Sequence, residues 1–470
     1  MPFLLVLLST LVAGPSSDTF TIKSEILGQT RTVFVHFPQS YSKSAAARRY
    51  PAIVVFDGRY LLEPVVTMSD ILSRNGQMPE SVIVAIENTD DDIDDHKARV
   101  HDLTPPGLSV SGSGLSEGGD RFLDFIEQEL LPAMDAKFRT AAPRTLAGLS
   151  SGGILSTYAA ATRDTFRLTL ALDAPAHLGD GWLGKKLLQR AKTKPSPPLR
   201  YVSLNARFGW QDDVWKSIAA AAPKSWLLHN ETLAQESHNS MRFLGAYLGL
   251  RELFRDYSMF NAPVAPTTSI LPAYDKLASS YGAPLTPPEP LLRNVVEDLL
   301  MEGRGADAHR AFDLLTFAYG EPPEAAKTRA EIAEVERQPP PAETVEGLLA
   351  TPFPAVAEAR EYLGEWEGEH WMNPAAKNRF ALRLVAEGGK VTGTMVSWPE
   401  PDKELAQPLQ YLKVTKEGLS FGVMNGMRPR GVLIHDGIRD GDVLRGEVRF
   451  GGINFKAPGK IAFELHHRPR

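Results

Sequence analysis

From Thr19 to about Phe260, short apolar runs alternate with segments of helical periodicity. "RTVFVHFP" (31–38) and "YPAIVVFDG" (50–58) read as strands, the second a near-continuous apolar run of the buried kind, and "ESVIVAIENT" (80–89) is another. "RFLDFIEQELLPAMDAKF" (121–138) places Phe122, Phe125, Ile126 and Leu130 on one helical face. "RTLAGLS" (144–150), "FRLTLALDAP" (166–175) and "LRYVSLNAR" (199–207) add three strands, and "NSMRFLGAYLGLRELF" (239–254) closes the region as a helix. Strands separated by helices predict βαβ units, hence an α/β fold with a doubly wound, mostly parallel sheet over 18–260.

The pattern then changes twice. "NAPVAPTTSILPAYDKLASSYGAPLTPPEP" (261–290) is rich in proline and small residues and reads as a linker. "LLRNVVEDLLMEGRGADAHRAFDLLTFAYG" predicts two helices joined around Gly303 to Gly305, similar to one tetratricopeptide-like hairpin, so 261–340 is expected to be a linker and helical adaptor. After a second linker, "ERQPPPAETVEG" (336–347), residues 355–470 alternate with period two. "DVLRGEVRF" (442–450) sets Leu444, Gly446, Val448 and Phe450 against Arg445, Glu447 and Arg449, and "NRFALRL" (378–384) and "KIAFELHH" (460–467) behave likewise. With turn signals at Gly388-Gly389, Asn425-Gly426 and Asp440-Gly441, this predicts an antiparallel β sandwich or small barrel.

Composition narrows the function. The 470 residues are 43% hydrophobic and 23% charged, an ordinary globular balance. A net charge of −6 argues against a nucleic-acid partner, because no excess of Lys and Arg is present to neutralise phosphates. The absence of cysteine excludes disulfides, thiolate metal sites and a cysteine nucleophile. The start, "MPFLLVLLSTLVAGPSSD", has an apolar run from Phe3 to Ala13 that predicts an export signal over 1–17 and a periplasmic or secreted protein. No Lys or Arg precedes that run, which keeps open a buried edge element and a cytoplasmic protein. No later run reaches membrane-spanning length, so no integral membrane segment is expected once the signal is removed.

The candidate chemistry centres on "LAGLSSGGIL" (146–155), which contains the G-x-S-x-G pattern of a nucleophile elbow at Ser150. An elbow needs a strand ending at the serine and a helix starting after it, and both are present. A side chain at Gly148 or Gly152 is expected to collide with the neighbouring strand and helix. The backbone N–H of Ser151 would donate to an oxyanion. A serine needs a base, and three histidines (His177, His229, His238) follow within the α/β region. His238, in a polar loop before the last helix, is the candidate; His177 suits a loop or pocket wall, and His229 sits in a strand-like run. For the acid, Asp212 is the first choice, with Asp213 and Glu236 as alternatives, and either aspartate equally suits the cap of the helix that starts there. A second oxyanion donor is expected from the loop after strand 50–58, at the backbone of Arg59, with Gly58 or Tyr60 as alternatives; Asp57 is expected to order that loop.

"PAIVVFDGRYLL", "VAIENT", "RVHDLTPP", "GGDRFLDFIEQELLPAMDAKFRT", "RTLAGLSSGGILSTYAAATRDTFRLTLALDAP" and "ESHNSM" occur in that order. Over residues 20–255 the chain resembles the putative-esterase branch of the α/β-hydrolases, which includes enterochelin-esterase-like and S-formylglutathione-hydrolase-like enzymes. The resemblance implies serine ester hydrolysis with Ser150 as nucleophile and His238 as base. It departs from the common pattern at Leu149 and Ser151, and at Ala206-Arg207-Phe208, where the family often carries its acid; a Ser–His dyad is therefore a further expectation.

Other features are weighed against plainer roles. "NTDDDIDDHKARVHD" (88–102) holds six aspartates and two histidines, but its spacing matches no metal motif, and an acidic solvated loop is expected, with His101-Asp102 at the pocket rim. Trp366, His370 and Trp371 form either a binding pocket or the core of the first tail strand, and His466-His467 end an exposed strand. The expected function is hydrolysis of a small-molecule ester, siderophore-like or short-acyl, through an acyl-enzyme, with no metal or organic cofactor. Acyl transfer on the same residues, and a non-catalytic binding protein that keeps the scaffold, are the alternatives. The helical and β-rich modules are expected to contact protein or ligand.

Overall fold

The computed structural model describes residues 17–88, 97–108, 117–193, 197–258, 266–339, 341–373, 376–400, 403–425, 431–453 and 461–468. The expected signal segment and most of the acidic stretch (89–96) lie outside these residues. Eight strands form one sheet: β1 (Ser17–Ser24), β2 (Gln29–His36), β3 (Tyr50–Val55), β4 (Val82–Ile86), β5 (Thr140–Leu149), β6 (Leu168–Leu172), β7 (Arg200–Asn205) and β8 (Leu227–Thr232). Their order is β1-β2-β4-β3-β5-β6-β7-β8. β2 pairs antiparallel with β1 and β4, and every other pairing is parallel. The α/β expectation holds, with β1 and β8 as edge strands.

The central strands are buried from end to end, as parallel strands covered on both faces must be: β4, β6 and β7 expose no residue. The helices are α1 (Gly58–Arg74), α2 (Lys97–Leu103), α3 (Gly119–Phe125), α4 (Leu131–Lys137), α5 (Ser151–Thr162), α6 (Leu178–Lys192), α7 (Asp212–Ala221) and α8 (Leu244–Leu253). A π-helical turn over Ile126–Leu130 joins α3 to α4. Phe122, Phe125, Ile126 and Leu130, the predicted apolar face, all pack into the core beside Val54, Val84 and Leu146. Each such side chain contributes on the order of 2 kcal/mol.

Among the described residues α9 (Ile270–Tyr281), α10 (Glu289–Met301), α11 (Gly305–Tyr319) and α12 (Ala325–Arg337) follow, and then two short helices, Val345–Leu349 and Val356–Ala359. α10 and α11 meet around Gly303 as the pattern predicts. The chain divides into two compact units, and the helices expected to form a separate adaptor fall partly in each. Met1–Asn261, Leu271–Leu291 and Leu314–Pro322 belong to one, the rest to the other.

The second unit carries β9 (Gly364–Asn373), β10 (Ala376–Glu387), β11 (Lys390–Glu400), β12 (Lys403–Pro408), β13 (Tyr411–Val414), β14 (Gly418–Met424), β15 (Val432–Asp440), β16 (Val443–Gly451) and β17 (Ile461–Arg468). They make one antiparallel sheet, ordered β12-β11-β10-β9-β17-β16-β15-β14-β13, and not a two-sheet sandwich. β12 and β13 lie at opposite edges, yet only Leu409 and Gln410 separate them in sequence. Nine strands laid flat would hold their edges about 38 Å apart, while three Cα steps reach about 11 Å. The sheet must therefore curl. The link itself bridges the gap: Leu409 N–H donates to Gly393 O at 2.9 Å on one side, and Gln410 N–H to Gly422 O at 3.0 Å on the other.

The inward face of this curl is apolar, with Trp366, Phe380, Leu444 and Val448 buried, so Trp366 is a core residue. His435 lies fully buried among Phe380, Phe421 and Phe463, with ring centroids 4.7–5.4 Å away. Burial, helped by His370 nearby, pushes its pKa down to about 3. Between that value and the ordinary 6.5 the unfolded chain binds the proton and the folded chain does not. Stability is therefore complete above pH 6.5 and is lost as pH falls. Thermal unfolding of the full chain should show the transition that includes the β-rich unit weakening by about 2 kcal/mol from pH 7 to pH 5, and His435→Phe should flatten that slope. An unchanged slope would remove His435 as its cause.

Candidate functional site

The parallel strands deliver their carboxyl ends to one edge of the sheet, where side chains from successive loops can converge. β5 ends at Leu149, α5 starts at Ser151, and Ser150 between them has φ 59° and ψ −119°. A non-glycine residue at positive φ is strained, and the surrounding backbone holds it: Ser150 N–H donates to Leu172 O on β6 at 2.9 Å, and its own carbonyl accepts from Ile154 N–H at 3.0 Å. Gly148 is obligatory, since a methyl there would sit 2.3 Å from the Gly152 carbonyl. The partner in crowding is not Gly152, where a methyl meets Phe56 at an ordinary 3.4 Å, but Gly153, where it would press to 2.8 Å on Ala174. The close approach of β6 to α5 explains the difference.

His238 follows β8 in a half-exposed loop, and its Nδ1 lies 2.6 Å from Oδ2 of Asp173. Asp173 is the first residue past β6, also at positive φ (41°), and has no exposed surface. Its other oxygen, Oδ1, accepts the backbone N–H groups of Ala206, Arg207 and Phe208 at 2.8, 2.9 and 3.0 Å. Burial alone would raise this carboxyl's pKa. The hydrogen bonds from Phe208, His238, Ala206 and Arg207 outweigh it and hold the group below the ordinary carboxylate value. The Phe208 ring stands edge-on to His238 at 5.8 Å and stacks on His177 at 6.0 Å, which puts His177 on the wall of the site.

This corrects the expected acid. Asp212 and Asp213 are exposed in the first turn of α7, where they face water and the helix dipole. Glu236 belongs to the turn closed by its own N–H on Leu233 O at 2.9 Å. The carboxylate that meets His238 is Asp173, so the imidazole does not stand without an acidic partner. The segment where the acid was sought supplies the N–H donors that hold it. The local signal was the Asp-Ala-Pro that ends the strand after the elbow. Of the other histidines, His229 lies on β8 beside Glu231 and Glu252. Asp102, expected at a rim, is buried in an ion pair with Arg31 at 2.7 Å.

On the other side of the serine, the turn after β3 abuts the elbow: Oδ2 of Asp57 lies 3.6 Å from where a Gly152 methyl would be. α1 starts here, and the N–H of Tyr60 is taken by Asp57 O at 2.8 Å. Of the three candidate donors, Gly58 and Arg59 remain beside Ser151, each in the first turn of a helix where backbone N–H groups lack intrahelical acceptors. Paired N–H groups of this kind can hold a negative oxygen. Tyr60 Oη donates to Oδ1 of Asn239 at 3.0 Å, tying this turn to the His238 loop.

Residues 24–225 match the family model described as Putative esterase. The siderophore triacetylfusarinine C esterase of Aspergillus fumigatus is 31% identical over 163 residues, covering 33% of this chain and 53% of that protein. The chain thus spans about half the length of the curated relative it matches. An IroE-like serine hydrolase from Shewanella oneidensis shares the fold, with a TM-score of 0.52 and 23% identity over 64% of this chain and 99% of that one. No helix among the described residues is long and apolar enough to cross a membrane. The region that carries the serine elbow at Ser150 and the buried Asp173 is thus similar, over residues 24–225, to the putative-esterase family.

Proposed function

We propose that this protein hydrolyses carboxylic esters with Ser150 as nucleophile, His238 as general base and Asp173 as the group that orients it. The observation that carries the reading is the His238–Asp173 hydrogen bond of 2.6 Å at the sheet edge that also presents the strained Ser150 turn. Ser150 Oγ attacks the ester carbonyl as His238 Nε2 takes its proton, and the oxyanion rests on the N–H of Ser151 and of Gly58 or Arg59. Collapse expels the alcohol, protonated by His238, and leaves an acyl-enzyme. Water, deprotonated by His238, then releases the acid and restores the serine. The role of Asp173 is to keep Nδ1 protonated so that Nε2 is the base. The family match and the identity to a siderophore esterase favour a siderophore-type ester as substrate over a simple short-acyl ester. The apolar run from Phe3 to Ala13 fits export of the protein.

A fluorophosphonate probe should label the folded wild type at Ser150, and Ser150→Ala should abolish both labelling and turnover. An unlabelled, well-folded wild type sinks the hydrolase reading. Product analysis on siderophore esters and on short-acyl esters then ranks the substrates and distinguishes free acid from a transferred acyl group.

Asp173→Asn should lower kcat by roughly 10³–10⁴-fold, whereas Asp212→Asn and Asp213→Asn should stay within about twofold of wild type. Equal losses in all three would refute the assignment. Because hydrogen bonds hold Asp173 below the ordinary carboxylate pKa, it remains ionised as acid is added. The acid limb of kcat/KM should therefore show a single ionisation above about pH 4; a second one there would contradict the geometry.

A further inference from the structure

Four non-glycine residues of the described structure have positive φ, and Ser150 and Asp173 are two of them. A third, Asp57, has φ 55° and ψ 57° at the start of α1 and is buried. Such a conformation is unfavourable for a residue with a side chain and persists only where the surroundings impose it. Here they do. Arg99 grips the Asp57 carboxylate as a fork, Nε to Oδ1 at 2.6 Å and Nη2 to Oδ2 at 2.8 Å, and Asn88 Nδ2 donates to Oδ1 at 3.0 Å. The Asp57 carbonyl in turn accepts the N–H groups of Tyr60 and Leu61 at 2.8 and 3.0 Å, which starts the helix. The carboxylate is thus fully engaged from behind while the backbone it anchors leads into Gly58 and Arg59. Gly58 itself has little freedom, since a methyl on it would lie 3.1 Å from Ile86 O on β4.

We propose that Asp57, gripped by Arg99 and Asn88, is a positioning residue that fixes the 57–59 turn so that its backbone N–H meets the oxyanion formed at Ser150. This inference rests on the acyl-enzyme reading above. Asp57 acts through the turn and not on the substrate, because both of its oxygens are occupied by Arg99. The fork matters as well as the charge: two parallel charge-assisted hydrogen bonds fix the orientation of the carboxylate plane, which a single ammonium does not.

The test uses the full chain, p-nitrophenyl acetate as substrate and a trifluoromethyl ketone as oxyanion mimic. In Asp57→Ala and Arg99→Met, kcat and kcat/KM should fall together by roughly 10–100-fold, with KM within about twofold. Affinity for the ketone should fall by a similar factor, while the pH at which the acid limb turns stays at its wild-type position. Arg99→Lys, which keeps the charge and loses the fork, should lose about tenfold; it decides the matter if the larger changes fail to fold. Wild-type rates in these variants would overturn the proposal. So would a loss carried by KM alone, which means substrate contact, or a shifted acid limb, which means an effect on His238. If the wild type neither hydrolyses the ester nor takes a fluorophosphonate, the underlying reading fails. If it does both and the variants match it, only the positioning role fails.

Discussion

A carboxylate with no exposed surface is tolerated only where its oxygens are taken up by donors, and at Asp173 the donors come from two stretches distant in the chain. Ala206, Arg207 and Phe208 close over one oxygen, and His238 meets the other. The aspartate stands at the end of β6, its backbone donors follow β7, and the imidazole follows β8. The arrangement therefore exists only if these three strands lie side by side in this order and register. Phe208 serves twice, with its N–H on Asp173 and its ring against His238. The sheet order and the geometry of the site are one constraint.

The same edge gathers the backbone strain. Asp57, Ser150 and Asp173 follow β3, β5 and β6, all at positive φ, and each is held by hydrogen bonds to neighbouring strands or loops. A parallel sheet buried on both faces is stiff enough to impose such conformations, since its strands cannot relax singly. The strain at these three positions is thus imposed by the fold of one sheet edge.

The sheet is legible in the sequence because its central strands are long apolar runs broken by Gly, Pro and Asp. The edge strands are less so: β1 alternates between exposed and half-buried positions, and its identity depends on pairing with β2. Ser150 is legible through local rules, a glycine that must be a glycine and a strand-to-helix junction. His238 is legible through its place before the last helix of the α/β region. Asp173 has only the Asp-Ala-Pro after its strand as a local cue, because its donors begin 33 residues away and its histidine 65 away, and proximity in sequence favours Asp212 instead. In the β-rich unit the alternation is plain. The choice of one curled sheet over two stacked ones depends on strand order, which alternation does not encode.

The link at Leu409 and Gln410 also bears on how the second unit assembles. β9 to β12 run as one meander and β13 to β17 as another, every pairing within each being between consecutive strands. Among the described residues two backbone connections join the meanders: the link, which is immediate in the chain, and the β9–β17 pairing, which joins the first strand of the sheet to the last. The meanders can form early from local contacts, and the loop entropy of closing the unit is concentrated in that one ladder. The β9–β17 ladder is thus the long-range closure of this sheet, and its seven paired residues offset the loop entropy that the local pairings do not carry.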